Sequence, residues 1–300
     1  MAQASVSLEA QGLETPYTSI GARAWRSFRR SPSAVIGMVI IAALGLGAIF
    51  APIISGHTDP LLTNLGTTVW PPSLDHLAGT DKLGRDIFTR LLFGARLSLE
   101  IGFVSVGIAL AIGTVVGIVS GFWGGSLDVA LMGLMDVMLA FPTIILAIAI
   151  SAILDQRVSD AVKLFFAIGI VAIPIYARIA RSSVLAVKEQ EFVESARAVG
   201  NNTLGLLAKH ILPNILAPLI VQATLGIGTA ELDSAGLSYL GLGIQPPTPE
   251  WGSMLNDARD YWLNAPWALL FPGLAISITV LGFNLLGDGL RDALDPKSNH

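Results

Sequence analysis

The chain has 300 residues, of which 53% are hydrophobic and only 13% are charged, with a formal net charge of −4 at pH 7. Soluble domains carry about 25% charged residues, so this composition, with a mean hydropathy of +0.67, predicts a membrane protein. The absence of cysteine excludes disulfides, thiol nucleophiles and thiolate metal sites. No basic patch indicates nucleic acid binding, and the four histidines are scattered without the spacing typical of metal ligands.

Residues 1–33 are expected to form an N-terminal tail, because the first 22 positions are polar, rich in small residues and without apolar periodicity. Four arginines of this tail precede an apolar run at 34–54. An arginine pair before an apolar run is also a feature of twin-arginine export signals. We favour a membrane-spanning anchor, because about 20 apolar residues span a bilayer and this run is longer than a typical cleavable segment.

A polar loop at 55–96 follows the anchor and ends in the sequence GTDKLGRDIFTRLLFGAR. Helical spacing places its apolar residues on one face and Arg85, Arg90 and Arg96 on the other. Helices with this division of side chains lie in the membrane interface. The pattern therefore predicts a surface-lying helix on the outer side.

Five further apolar segments predict membrane-spanning helices, which gives six spans in all. They cover about 97–120, 131–154, 163–185, 213–235 and 266–287. With the N-terminus inside, 11 of the 18 lysines and arginines fall on the side of the termini. This bias predicts that both termini and the stretch between the fourth and fifth spans lie in the cytoplasm.

That stretch, 189–212, is polar although long apolar segments flank it. Phe192, Ala196 and Val199 have the i, i+4, i+7 spacing of one helix face. Gly200 lies where a helix C-cap is expected. Leucines at 204, 206 and 207 give a second short helix an apolar side. The pattern predicts a hairpin of two short helices, which we call the elbow, that docks on a soluble partner.

The elbow resembles the EAA loop of ABC importer permeases, in which Glu-Ala-Ala is followed by Gly and then by Leu-Pro. The matching residues are Glu194, Ser195, Ala196, Gly200, His210 and Pro213. Ser195 replaces the first alanine, and His210 stands where the general pattern has isoleucine. The outer sequence GTDKLGRD and the C-terminal GDGLRDALDPK resemble the dipeptide, oligopeptide and nickel branch of this family.

The resemblance implies an all-α membrane protein, the transmembrane domain of a type I ABC importer. It would have six transmembrane helices and a cytoplasmic coupling helix between the fourth and fifth. The permease core would cover 97–290, followed by a cytoplasmic tail at 291–300. The implied location is the bacterial cytoplasmic (inner) membrane, in contact with lipid.

The implied function is that of a permease subunit of an ATP-driven, binding-protein-dependent importer for di- and oligopeptides. Glutathione, nickel chelates and other small solutes are alternative substrates. The implied partners are a second homologous permease, two ABC ATPase subunits and an extracytoplasmic substrate-binding protein. The chain itself would hold no cofactor, since ATP and Mg would be bound by the ATPase subunits.

Within the elbow, Glu191 and Glu194 are expected to pair with basic groups of the ATPase. Ala196 would permit close approach, Gly200 would make the sharp break, and Leu206 and Leu207 would fill an apolar cleft. The full set of expected coupling residues is Glu191, Phe192, Glu194, Ser195, Ala196, Gly200, Leu206, Leu207, His210 and Pro213.

Acidic residues in the predicted spans need an explanation, because a charge at the bilayer centre costs about 2.5–3.5 kcal/mol. Glu100 is expected to pair with Arg96, one turn earlier. Asp136, at the inner edge of the third span, is expected to lack its usual partner. Gly133 stands where relatives often have arginine.

The fifth span carries the expected residues of a substrate pathway, Gln222, Thr224, Glu231 and Asp233. The two acidic residues lie about 27 Å along this helix and therefore near the outer surface. They are either solvated at the interface or in contact with the amino terminus of the substrate or with the binding protein.

The sequence contains no phosphate-binding G-x-x-x-x-G-K-[ST] loop and no Ser/His/Asp set placed to act as a triad. The chain is therefore expected to be no enzyme, with ATP hydrolysis in partner subunits. A secondary transporter and a passive channel subunit remain as alternatives. The first would need its own ion-coupling site at mid-membrane, and the sequence shows no paired mid-span acids and no clear inverted repeat.

Overall fold

The computed structural model describes residues 26–154 and 157–294. Within these ranges the regular elements are helices. They are α1 (Pro32–Ile49), α2 (Ala51–Ile54), α3 (Ile87–Trp123), α4 (Gly125–Ala140), α5 (Thr143–Ile153), α6 (Asp160–Lys188), α7 (Glu191–Ala198), α8 (Thr203–Leu206), α9 (Leu212–Tyr239), α10 (Trp251–Ala258) and α11 (Pro266–Leu294). A 3₁₀ turn at Leu65–Thr67 and a π turn at Leu207–Ile211 complete them.

Five helical segments of the described chain are long and apolar enough to cross a membrane, namely α1, α3, α6, α11 and the run Thr203–Tyr239. α4 and α5, which are bent by 102° relative to each other, pass the same test only as a pair and bring the candidate crossings to six. Phe141, at the bend, has extended backbone angles (φ −87°, ψ 139°). The proline that follows it disfavours the helical conformation at this position. The span predicted at 131–154 is thus two helices.

The bundle is held together by close approach of α3 and α6. A Cβ atom on Gly113 would lie 2.6 Å from the Cβ of Tyr176 and 2.8 Å from the carbonyl oxygen of Ile173. No side chain fits at that distance, so glycine is required where the two backbones meet. Small residues at such contacts are typical of helices that pack in lipid.

The end of the bundle opposite the elbow is a cap made by the loop before α3 and by α10, with charged side chains in its interior. Arg85 Nε lies 2.6 Å from Asp81 Oδ2, and Arg85 also reaches Asp257 at 3.3 Å. Arg90 donates to the carbonyl oxygens of Pro60 and Pro247, at 3.1 and 3.3 Å. Both arginines are 3% exposed or less.

These positions contradict the surface-lying helix predicted for the outer loop. The helix that starts at Ile87 continues directly into the second span as one element of 37 residues. Arg85 and Arg90 do not face water, because carboxylates and carbonyl oxygens from distant parts of the cap surround them. Only Arg96, of the three expected surface arginines, is exposed.

Glu250 connects this cap to the bundle. Its side chain is fully buried and accepts hydrogen bonds from the backbone N–H groups of Gly252 and Ser253, both at 2.7 Å, which caps α10. Burial raises the pKa of Glu250 above its usual value. Trp251 follows it and donates from its ring nitrogen to the carbonyl oxygen of Leu91 on α3 at 3.0 Å.

At the end of the bundle near the elbow, the turn between α3 and α4 is attached to α6. Arg181 donates to both carboxylate oxygens of Asp128 at 2.6 Å, and Ser120 bonds the same carboxylate. Lys188 donates to the carbonyl oxygen of Gly121 at 3.0 Å. These bonds therefore hold the ends of α3 and α6 together next to the elbow.

Two expected charge arrangements are wrong. Arg96 does not pair with Glu100, because its guanidinium donates to the carbonyl oxygens of Ala48 and Ile49 at 2.6 and 3.0 Å. Asp136 does have a partner, since Arg178 of α6 donates to it at 2.5 Å. The missing arginine on α4 is thus replaced by one on a neighbouring helix.

Candidate functional site

The elbow has the helix, break and second helix that its sequence predicts. α7 ends at a turn in which Gly200 has φ +90°, a left-handed conformation that glycine adopts without a Cβ clash. The side chain of Asn202 then accepts a hydrogen bond from the N–H of Gly205 at 2.8 Å and caps α8. The chain continues through the π turn into α9, whose second residue is Pro213.

The side of the elbow that faces the helical bundle packs on its own chain. Val193, Ala196 and Leu206 are 1%, 7% and 2% exposed and form one apolar cluster. Phe122 and Val187, from the ends of α3 and α6, pack against this cluster. The elbow is therefore fixed to the two helices that form the centre of the bundle.

Two expectations about the elbow are wrong for this reason. Leu206 does not fill the cleft of a partner, because it lies in the elbow's own core. Ala196, which was expected to permit close approach of a partner, lies in the same core, whereas Phe192 and Val199 are 44% and 83% exposed. Leu207 is only partly buried and packs against the main core of the bundle.

The side of the elbow that faces away from the helical bundle exposes apolar groups at its tip. Phe192, Val199 and Leu204 are exposed there, Leu204 by 76%. The acidic side chains of Glu191 and Glu194 are also exposed on α7. Apolar groups rimmed by charges are typical of a protein–protein contact. The other expected coupling residues lie on the same hairpin, with Ser195 and Pro213 exposed and His210 half-buried.

A second candidate site lies between α6 and α9, where two cavities share the side chain of Gln222. The smaller one, of about 30 Å³, has a mixed lining of apolar and polar side chains that includes Asp233. The larger one, of about 470 Å³, is lined mainly by apolar side chains and by Arg291 from the end of α11. We call these two cavities the groove.

The structure separates the four expected pathway residues. Gln222 and Asp233 line the groove. Thr224 is 9% exposed and donates to the carbonyl oxygen of Ile220 within its own helix. Glu231 is 1% exposed, so the expectation of interfacial solvation is wrong for this residue. It points instead into the protein, towards the buried Glu250.

Other residues of these sites were missed by reasoning from the sequence. Val193, which is 1% exposed, is a neighbour of the predicted face and has no signal of its own. Ser105 and Tyr176 line the small cavity from α3 and α6. No local pattern marks them, because the cavity exists only where three helices meet.

Comparison with known proteins identifies the family. The family model of the binding-protein-dependent transport system inner membrane component matches residues 113–300. The model of the N-terminal transmembrane domain of oligopeptide transport permease C matches residues 19–67.

Full-length relatives agree with these matches. A dipeptide transport system permease protein of Alkalihalophilus pseudofirmus is 48% identical, over 95% of this chain and 93% of that protein. A glutathione transport system permease protein of Escherichia coli is 46% identical, over 91% and 89%. A di/tripeptide transport system permease protein of Pseudomonas aeruginosa is also 46% identical, over 91% of each chain.

The fold has a match among solved structures. A chain of the MetNI methionine ABC transporter, in inward facing conformations, superposes with a TM-score of 0.57 at 21% sequence identity. The match covers 69% of this chain and 96% of the other. It confirms the type I ABC importer fold that the sequence resemblance implies. The chain therefore belongs to the family of binding-protein-dependent transport system inner membrane components, as a multi-pass permease subunit of an ABC transporter.

Proposed function

We propose that this permease subunit imports peptides through the groove, driven by ATP hydrolysis in partner subunits that dock on the elbow. The exposed apolar tip of the elbow is the observation that supports coupling most directly. Peptide transport is supported by the names of the relatives, two of which are permeases for dipeptides or for di- and tripeptides.

The elbow suits a soluble ATPase on physical grounds. Phe192, Val199 and Leu204 would enter an apolar cleft of that partner, and Glu191 and Glu194 would meet basic groups at its rim. Ser195 keeps the exposed surface of α7 shallow, while Gly200 sets the angle of the turn. Because the opposite side of the elbow packs on Phe122 and Val187, a displacement of the docked partner would move α3 and α6 directly.

Both termini are placed in the cytoplasm in this proposal, together with the elbow. Six crossings return the chain to the side on which it started, and the elbow lies between the fourth and fifth crossings. The bias of lysine and arginine supports the same orientation. The tails at 1–33 and 291–300 would be cytoplasmic, and the cap would face the substrate-binding protein. ATP and Mg would be held by the ATPase subunits.

The mechanism is alternating access shared with a second, homologous permease. Closure of two ATPase subunits on ATP would move both elbows and turn the pathway outward, and hydrolysis would return it inward. A partner shifts such an equilibrium only by its difference in affinity for the two states. A difference of about 5.5 kcal/mol between the binding free energies for the two states is enough to change their population ratio from 1:99 to 99:1.

The test is co-purification and uptake. Because the chain has no cysteine, a single cysteine at Leu204 can be cross-linked specifically. Cross-linking to the ATPase subunit and vanadate-sensitive uptake of a dipeptide are the expected results. The matched control is Leu62→Cys, at a residue of the outer loop that is 62% exposed. Vanadate-resistant uptake, or an ATPase that cross-links to Leu62→Cys instead, contradicts the proposal.

Glutathione is the second candidate substrate, because the relative of Escherichia coli at 46% identity is a glutathione permease. It is itself a tripeptide and would use the same groove. Loading the cognate substrate-binding protein with either class of solute and measuring uptake through the complete transporter separates the two candidates.

A further inference from the structure

The small cavity of the groove has an unusual lining for a site within membrane-spanning helices. Its polar side chains are Ser105 of α3, Tyr176 of α6 and Gln222, Thr229 and Asp233 of α9. The volume of about 30 Å³ is that of a single water molecule or a group of similar size. Polar residues inside a membrane protein are costly, and they mark binding sites and pathways.

Asp233 has no ion-pair partner among residues 26–154 and 157–294. α9 has no basic residue, those of the adjacent helices α3 and α6 are all engaged elsewhere, and Arg291 of α11 lines the larger cavity. Arg90 and Arg96 donate to carbonyl oxygens of the cap and of α1, and Lys188 to that of Gly121. The remaining three pair with other aspartates, as Lys163–Asp160, Arg178–Asp136 and Arg181–Asp128. The carboxylate thus faces the cavity without a counter-charge.

Ser105 gives an independent indication that the cavity receives a ligand. Its side chain is 1% exposed, and its hydroxyl has no hydrogen-bond partner in the described part of the chain. The large majority of buried side-chain polar atoms in proteins are hydrogen-bonded. The nearby hydroxyl of Tyr176 is occupied, since it donates to the carbonyl oxygen of Gln222 at 3.4 Å. A group that enters the cavity would therefore find one free hydroxyl and one free carboxylate.

The neighbouring large cavity indicates the rest of such a ligand. It shares Gln222 with the small cavity and is lined by Ala217, Pro218, Val221 and Leu225. A solute with a small cationic end and a larger, partly apolar body fits both cavities together. A lone metal ion or proton would leave the large cavity without a role.

We propose that Asp233 and Ser105 form a subsite that binds the primary ammonium group of the transported solute. The inference rests on the proposed function, in which that ammonium is the amino terminus of a peptide. Asp233 supplies the counter-charge, and the Ser105 hydroxyl accepts a hydrogen bond from the ammonium. Gln222 lies where the body of the peptide leaves the small cavity.

Uptake by the complete transporter in liposomes is the first test. The probe is the dipeptide alanyl-alanine, presented by the cognate binding protein, because its amino terminus is its only cationic group. Asp233→Asn is expected to lower the maximal uptake rate about tenfold, from the loss of a charge-assisted hydrogen bond. The affinity of the transporter for the loaded binding protein should stay the same. Asp233→Glu should restore a large part of the rate.

The matched control is Asp260→Asn, because Asp260 is an outer carboxylate with 75% side-chain exposure and outside the groove. Its uptake should equal that of the unmodified transporter. Unchanged uptake by Asp233→Asn overturns the subsite and leaves the proposed function intact. Failure of the unmodified transporter to carry the dipeptide overturns the proposed function instead.

A second test measures the local charge without transport. In the otherwise cysteine-free chain, Thr229→Cys in the complete complex is labelled with a cationic and with an anionic methanethiosulfonate reagent. The cationic reagent should react faster, and the ratio of the two rates should fall about tenfold when Asp233→Asn is added. An unchanged ratio shows that Asp233 does not set the potential of the cavity, and it overturns the subsite even if Asp233→Asn destabilises the complex.

Discussion

The two ends of the helical bundle differ in the charged side chains that they bury. In the outer cap, Arg85 and Arg90 are buried and satisfied by partners of their own chain. At the inner elbow, Phe192, Val199 and Leu204 are exposed. The buried charges of the cap are thus satisfied within one chain, whereas the proposed function requires a partner that covers the exposed apolar side chains of the elbow.

Because of this contrast, we expect substitutions that affect stability and substitutions that affect coupling to the ATPase to lie at different ends of the bundle. Removing one partner of a buried ion pair leaves an uncompensated charge and costs about 3–5 kcal/mol. Changing an exposed side chain away from special features shifts stability by at most about 0.5 kcal/mol. Substitutions in the cap should therefore impair folding, and those at the elbow tip should impair energy transfer in a folded protein.

The largest expected effect is on stability, for Arg85→Leu in the cap. The change leaves Asp81 and Asp257 without their shared partner and should lower the free energy of unfolding by about 3–5 kcal/mol. Chemical unfolding in detergent measures it. Arg259→Leu is the control, because that arginine is 55% exposed. Equal loss in both variants would show that the cap is not a buried ionic core.

The next effect separates the two sides of the elbow. Leu206→Ala should destabilise the protein by about 2–5 kcal/mol, since Leu206 is buried against Val193 and Ala196. Leu204→Ala should change stability by less than about 0.5 kcal/mol and lower the amount of ATPase that co-purifies. If Leu204→Ala destabilises the protein and Leu206→Ala only lowers the amount of bound ATPase, the orientation of the second elbow helix is wrong.

Gly200→Val tests the turn of the elbow. A Cβ atom at this position would meet nothing within 4 Å, so the strain comes only from the left-handed backbone and costs about 1–3 kcal/mol. We expect the variant still to insert into the membrane and its uptake to fall at least about tenfold, because the altered turn changes the direction of α8. Gly200→Asn is the control, since asparagine tolerates this conformation. Uptake unaffected by valine would exclude a coupling role for the turn.

The smallest expected effect concerns the exposed pair Arg178–Asp136. Both side chains are more than half exposed, and such pairs contribute about 0–1 kcal/mol. Asp136→Asn should therefore shift the free energy of unfolding by less than about 1 kcal/mol. A loss close to that of Arg85→Leu would mean that this pair, like the cap, is buried in the assembled protein.

The elbow could be predicted from the sequence because its signals are local. Gly200, the leucines after it and the charged flanks lie within 24 residues of each other. Which residues of the first elbow helix face the bundle could not be predicted, because Phe192 and Val193 are adjacent apolar residues. Periodicity cannot decide which of the two packs on Phe122, a residue about 70 positions away.

The cap was missed for a related reason. Arg85 has the pattern of a surface arginine until Asp257, 172 residues further on, is placed beside it. The small cavity likewise needs Ser105, Tyr176 and Asp233 from three helices. Sites within one segment are therefore visible in the sequence, whereas sites that depend on helix packing are not.

The most direct test of the elbow as a docking site is the thiol accessibility of Val199→Cys, at a residue that is 83% exposed in the isolated chain. Its labelling rate should fall at least about tenfold when the ATPase subunits assemble with the permease, because burial excludes the aqueous reagent. Leu62→Cys, on the outer loop, should be labelled at the same rate in both states. Equal labelling of Val199→Cys with and without the ATPase subunits would contradict the account.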